Sequence, residues 1–258
     1  MSGLPEWIQA LLPALGLASI RVGAAFVAMP APFGSVAPMR TRALLSMLVA
    51  LALLPLYADR VADLDLEPVA LVRAGMGELM LGAVIGLTVR MTLVVAEIAG
   101  SIAGFSMGLG FATSVDPAFG EGALPTTRAI GAFGTLLFFA FDGHHAVLAA
   151  FASTLSAAPP GDAWSAVAHE GLLSIGSRIF THGLQIAAPV VATMFIVQLA
   201  TALVARAAPR VNLFAFSFAM AAGAGVLTMV VAAPSIATAI AVEVRRLPAA
   251  LAEVLMGV

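Results

Sequence analysis

The side chains best suited to moving a proton or holding an ion are few in this sequence of 258 residues: four histidines, fourteen carboxylates and twelve basic residues. Asp142, His144 and His145 stand together, and that spacing invites a metal or an acid–base reading. A protein metal centre of this donor type draws on three or four ligands at spacings such as His-Glu-x-x-His. That motif is absent, the chain has no cysteine, and the other histidines, His169 and His182, are far off in sequence. The ligand set is therefore incomplete, and Asp142, Gly143 and His144 are expected to have a structural or interfacial role. Asp142-Gly143, at the end of an apolar run, reads as a helix stop at which glycine relieves backbone strain. Serine and threonine are plentiful, but no Gly-x-Ser-x-Gly elbow or nucleophile with an orienting base is visible. All twelve basic residues are arginine, so a Walker-type lysine is missing as well. No catalytic residue, cofactor site or metal site is expected, and energy for any transport has to come from partners or from a proton gradient.

The remaining polar groups sit inside long apolar stretches. Hydrophobic residues make up 61% of the chain and charged residues 10%, and the mean hydropathy is +1.06. A soluble domain is about half apolar, so a bilayer is the expected solvent and the fold class is all-α. Apolar stretches run over about 8–29, 43–58, 69–98, 129–155, 172–205 and 211–242. A span needs about 20 residues, which makes the second short and the fifth too long. Pro189 lies near the middle of the fifth, where a bent helix or a hairpin is expected. Arg73, Glu78, Arg90 and Glu97 in the third, and Arg178, His182, Gln185 and Gln198 in the fifth, are costly against lipid. They are expected to face protein or a wet cavity, with internal pairing favoured over transport ligands. The twelve arginines are scattered and the net charge is -2, so nucleic-acid binding is not expected.

Arg40 and Arg42, then Arg128, then Arg206 and Arg210 mark the first, third and fifth connections as cytoplasmic, and the N-terminus as outside. Arg245 and Arg246 break this pattern. The first arginine is Arg21, preceded by Glu6, so the charged start of a cleavable signal peptide is missing and the N-terminus is expected to be the mature one.

Glycines recur every fourth residue at Gly82 and Gly86, and again at Gly100, Gly104 and Gly108. That stripe lets another backbone approach, so helix packing is expected there. The stretch from Phe105 to Pro125 is too broken by glycine and proline for a continuous helix, yet it stays apolar until Asp116. Irregular backbone at membrane depth has to be buried in protein or line a cavity. Phe105, Met107, Leu109 and Phe111 then become adaptable apolar contacts, and Asp116-Pro117 a turn start. An ordinary connection is the alternative, and residue types alone do not separate the two.

Glu97 to Pro117, with Ala99-Gly100, Gly104, Met107-Gly-Leu-Gly-Phe-Ala112 and Val115-Asp-Pro117, resembles the central loop of the FliR family, the flagellar relatives of the injectisome SctT proteins. Leu137-Phe-Phe-Ala-Phe-Asp-Gly-His144 is similar to the family's apolar run ending in Asp-Gly-His. Arg21-Val-Gly, Pro30, Pro32-Phe-Gly, Pro38, Arg40, Arg42 and Leu54-Pro55 recur upstream in the family's order. Pro189, Ala205-Arg-Ala-Ala-Pro209 and Asn212-Leu-Phe214 do so downstream. The likeness covers residues 19–232. It departs at Ser217-Phe-Ala219, where the family has Gly-Phe-Pro, and at Gln198, where Asn is common.

The resemblance implies one membrane-embedded domain over 1–258, built of bent helical hairpins, in the bacterial inner membrane at the flagellar basal body. It implies a single copy assembled with FliP-type and FliQ-type subunits and an FlhB-type switch protein, with exported flagellar proteins as cargo. It also implies a pore plug within 105–125, comprising Phe105, Met107, Gly108, Leu109, Gly110, Phe111, Ala112, Thr113, Val115, Asp116 and Pro117. Gly82, Gly86, Gly100 and Gly104 remain as packing positions, and Asp142, Gly143, His144, Pro209 and Asn212 as structural ones. The rivals are the injectisome counterpart and, from another class, a small-solute transporter. The second needs discontinuous helices in two repeated halves, and no internal repeat is evident.

Overall fold

The computed structural model describes residues 6–29, 38–61, 67–110, 124–158, 169–207 and 213–256. Among these residues the regular elements are all helices: α1 (Glu6–Ala28), α2 (Met39–Val61), α3 (Pro68–Ser106), α4 (Pro125–Ala140), α5 (Gly143–Ala157), α6 (His169–Ala207) and α7 (Leu213–Met256). Five are long and apolar enough to cross a membrane, and a sixth span arises if the broken pair α4 and α5 counts as one. The chain is an all-α membrane protein.

The helices depart from the expected six stretches in three places, each for a local reason. The fourth stretch is two helices, because the chain turns at Asp142, whose φ of 57° lies in the left-handed region. Glycine was expected to carry that conformation, but Gly143 is the first residue of α5. Aspartate is among the few residues that enter the left-handed region without a large steric penalty. Its carbonyl accepts from the amides of His145 at 2.9 Å and Ala146 at 3.2 Å, so helix resumes at once.

The second concerns Pro189, where a bent helix or a hairpin was expected: it lies inside a continuous α6, so the hairpin is the alternative that does not form. Membrane helices tolerate the lost rung, and Val190 and Met194 beyond it are buried, so packing rewards continued helix. The third is length. α3 and α6 have 39 residues each and α7 has 44, or about 58 to 66 Å at a rise of about 1.5 Å per residue. That is roughly twice the hydrocarbon thickness of about 30 Å. α7 does not end near 242 but continues through Arg245 and Arg246 to Met256.

The residues pack into two units. The first holds α1, α2, α3 up to Thr92, α5, α6 up to Ile175 and α7 from Arg246. Its core joins Leu17, Val22 and Ala25 of α1 with Tyr57 of α2, Leu81 and Ile85 of α3, Phe151 and Leu155 of α5, and Leu247 and Leu251 of α7. The second holds α3 from Leu93, α4, α6 from Gly176 and α7 up to Arg245. Its core is made by Ala99, Ala103 and Met107 with Ile130 and Phe138 of α4, Val190 and Met194 of α6, and Ile236 and Ile240 of α7. Arg245 lies over the Phe141 ring, its guanidinium carbon 4.6 Å from the centroid. A positive charge late in α7 thus has an aromatic neighbour inside the second unit.

Candidate functional site

Within the first unit the polar groups converge on Arg21. It is fully buried, as are Glu78 and Tyr57. Arg21 Nε and Nη2 donate to the two Glu78 carboxylate oxygens at 2.5 and 2.8 Å, a bidentate fork. Nη1 donates to Thr154 Oγ1 at 3.0 Å, and Nη2 also reaches the Ala158 carbonyl at 3.2 Å. The Tyr57 hydroxyl donates to Glu78 Oε2 at 2.8 Å. One ion pair therefore ties α1, α2, α3 and α5. Internal pairing was expected for Glu78, but its partner 57 positions away was not identified. The available signal was a lone arginine in the first apolar stretch, which needs a carboxylate from some other stretch.

Beside this pair Gly82 and Gly86 let α1 lie against α3. A Cβ at Gly82 would collide with the Arg21 carbonyl, and one at Gly86 with the Ala25 carbonyl.

At the start of α5, the Asp142, His144 and His145 ligand atoms lie within 4.8 Å of one another. Asp142 Oδ1 is 3.2 Å from His145 Nδ1, a contact one helical turn long between two exposed side chains. The Asp142 carboxylate makes no capping bond to α5. A cation here would face the amide end of a helix, whose dipole opposes positive charge.

The second unit holds the root of the Phe105–Pro125 segment. α3 ends at Ser106. The Met107 amide donates to Ala103 O and the Gly108 amide to Phe105 O, each at 3.0 Å. Gly108 has φ 77°, a conformation open to glycine at no steric cost. The glycine stripe therefore stops before Gly108, which meets nothing within 4 Å, whereas Gly100 and Gly104 lie against α4 and the residue before it. A Cβ at Gly100 would come 2.6 Å from Thr127 Cα, and one at Gly104 would strike Thr126 Oγ1. Ser101 and Thr127 share a hydrogen bond of 2.9 Å across the same seam.

Of the expected plug residues, Phe105 is 68% exposed and Met107 1%. Leu109 and Gly110 are partly buried. Phe111, Ala112, Thr113, Val115, Asp116 and Pro117 lie outside the described residues, as do Pro209 and Asn212. Met107 packs with Ala103, Val190 and Met194. Next to it an apolar groove of about 470 Å³ is lined by Met107, Leu109, Thr126, Phe133, Val226 and Met229. Gln198, expected to face protein or a wet cavity, is exposed on the single chain and donates from Nε2 to Ser106 O at 3.2 Å. His182 Nδ1 approaches Glu243 Oε1 to 2.6 Å, joining α6 to α7. Arg73, Arg90, Glu97 and Gln185 are exposed on the single chain.

Long apolar helices with an internal ion pair and small-residue seams define a helical integral membrane protein. The profile of the family described as "Bacterial export proteins, family 1" matches residues 12–247, and the chain belongs to that family, in its FliR group. It is 28% identical over 201 residues to the "Flagellar biosynthetic protein FliR" of Escherichia coli (strain K12), covering 78% of this chain and 76% of that protein. It is 30% identical over 200 residues to the protein of the same name in Caulobacter vibrioides, covering 75% and 78%. With that of Bacillus subtilis (strain 168) it shares 27% over 208 residues, covering 79% and 80%.

Proposed function

We propose that this chain is a subunit of the flagellar type III protein-export gate in the bacterial inner membrane. The observation that carries the reading is the family match over residues 12–247, joined to relatives named for flagellar biosynthesis. On this reading the chain forms part of the secretion pore, in a non-enzymatic role, together with FliP-type and FliQ-type subunits and an FlhB-type protein. The segment from Phe105 to Pro117 acts as its plug. The apolar groove beside Met107 and the break in helix at Met107 and Gly108 support an apolar segment that leaves α3 at that place. Small apolar closures exclude water and ions by dewetting, without charge pairing. Deleting the gene is expected to abolish hook and filament export, and a plasmid copy to restore both. Motile, fully flagellated deletion cells would overturn the assignment.

A further inference from the structure

We propose that Met107 is a fixed anchor and not a moving part of the seal. With Gly225 and Gln198 it acts as a positioning group that holds the end of α3 against α6 and α7. The inference rests on the plug reading above and narrows it, since a segment can close or open a path only from a root that stays in place.

Three observations converge. Met107 is 1% exposed among Ala103, Val190 and Met194, with Leu109, Val197, Ala221, Ala224 and Met229 packed around them. Gly225 of α7 forms the hole for this side chain. A Cβ there would come 2.5 Å from Met107 Cγ, 2.6 Å from Cε and 2.8 Å from Sδ, so the thioether lies along bare backbone for its whole length. Gln198 of α6 donates to the Ser106 carbonyl at 3.2 Å. That carbonyl is one of the last four of α3, which lack partners inside their own helix.

Immediately beyond Met107 the helix is interrupted at Gly108 and resumes at Leu109, which still packs against the Met107 cluster. Gly108 takes the left-handed conformation, with nothing within 4 Å of its Cβ direction. Interiors are packed at crystal-like density, so withdrawing Met107 would open a void along Gly225 and forfeit its contacts. Methionine adapts to irregular gaps, and here that adaptability is used to fill one. The break in helix sits at Gly108, after the anchor.

The chain has no cysteine, so Met107→Cys with Gly225→Cys provides a unique pair in the full-length protein assembled in cells. The Met107 Cβ is one bond from the Cγ that lies 2.5 Å from a Cβ at position 225. Disulfides join Cβ atoms about 3.5–4.5 Å apart, so an oxidant is expected to close the bridge in assembled complexes. Hook and filament export is expected to be the same with the bridge closed as with it reduced. Export that stops on closure and returns on reduction would show that Met107 moves, and failure of the bridge to form in assembled complexes would show that it is not seated at Gly225. Either result overturns the proposal.

A second pair guards against a cysteine variant that does not assemble. Gly225→Val is expected to raise ion leakage, and adding Met107→Ala to bring it back; no rescue also overturns the proposal. A chain lacking Gly110 through Val115 is measured alongside. If that deletion is as tight as wild type the plug reading fails, whereas the bridge experiment still decides whether Met107 is fixed.

Discussion

Arg21 and Glu78 show what one side chain can demand of a whole unit. Each charge loses its hydration on burial, and the pair is tolerable because the fork satisfies both carboxylate oxygens while Thr154, Ala158 and Tyr57 take up further donors and acceptors. Removing one charge strands the other. Glu78→Gln is expected to destabilise the first unit by about 3–5 kcal/mol, the range for breaking a buried pair from one side. Tyr57→Phe, which removes one hydrogen bond to a charged acceptor, is expected to cost about 1.5–3 kcal/mol. Thermal unfolding of the purified complex in detergent gives the order: wild type, then Tyr57→Phe, then Glu78→Gln. A Glu78→Gln protein that melts with wild type would show that packing, and not charge, holds α1 to α3. Replacing both partners by Met and Leu is expected to recover much of the loss, because no unpaired charge is left behind.

Between helices, small residues set the distances. Gly104 lies where the Thr126 side chain crosses α3, and Leu124 is close on the same face. Gly104→Leu is therefore expected to cost on the order of 1–3 kcal/mol by overpacking. It should also reduce the amount of chain that copurifies with FliP-type and FliQ-type subunits. Normal copurification of this variant would mean that the seam can spread without consequence. The four-residue spacing of Gly82, Gly86, Gly100 and Gly104 could be read from the sequence because a helix puts such positions on one face. Gly108 continues the same spacing, yet periodicity cannot report that α3 ends two residues earlier, at Ser106. That end is supported from 92 positions away by Gln198, and a contact of such range has no local signature. The stop at Asp142 was visible in residue type, but glycine preference pointed to the wrong member of the pair. Pro189 likewise allowed a hairpin as well as a bent helix, and the burial of Val190 and Met194 goes with a continuous helix. Among the site residues, apolar character at Phe105 and Met107 looks identical in sequence, and only packing separates the exposed ring from the buried thioether.

At the scale of the molecule, helices of up to 44 residues carry polar groups well beyond a single bilayer crossing. Arg73, Arg90, Glu97 and Gln185 are exposed on the isolated chain. Polar groups at membrane depth face protein or water, not lipid, so these faces fit a chain that works inside an assembly. In such an assembly the barrier to ions has to be made somewhere along the path of exported chains. The segment after Met107 is apolar and rich in glycine, and it follows the break in helix at Gly108. A barrier built this way depends on excluding water, so shortening the segment should weaken it even when every helix is intact. Removing Gly110 through Val115 is accordingly expected to leave a complex that assembles to the normal level but passes small ions, read as raised membrane conductance or as sensitivity of growing cells to small permeants. Assembly is checked in parallel by copurification, which separates a leaking gate from an absent one. Charge reversal at Asp116 should have a smaller effect than the deletion, because its expected part is to start the turn and not to make the seal. An assembled deletion complex as tight as wild type would place the barrier in another subunit and leave this segment as a connection between α3 and α4.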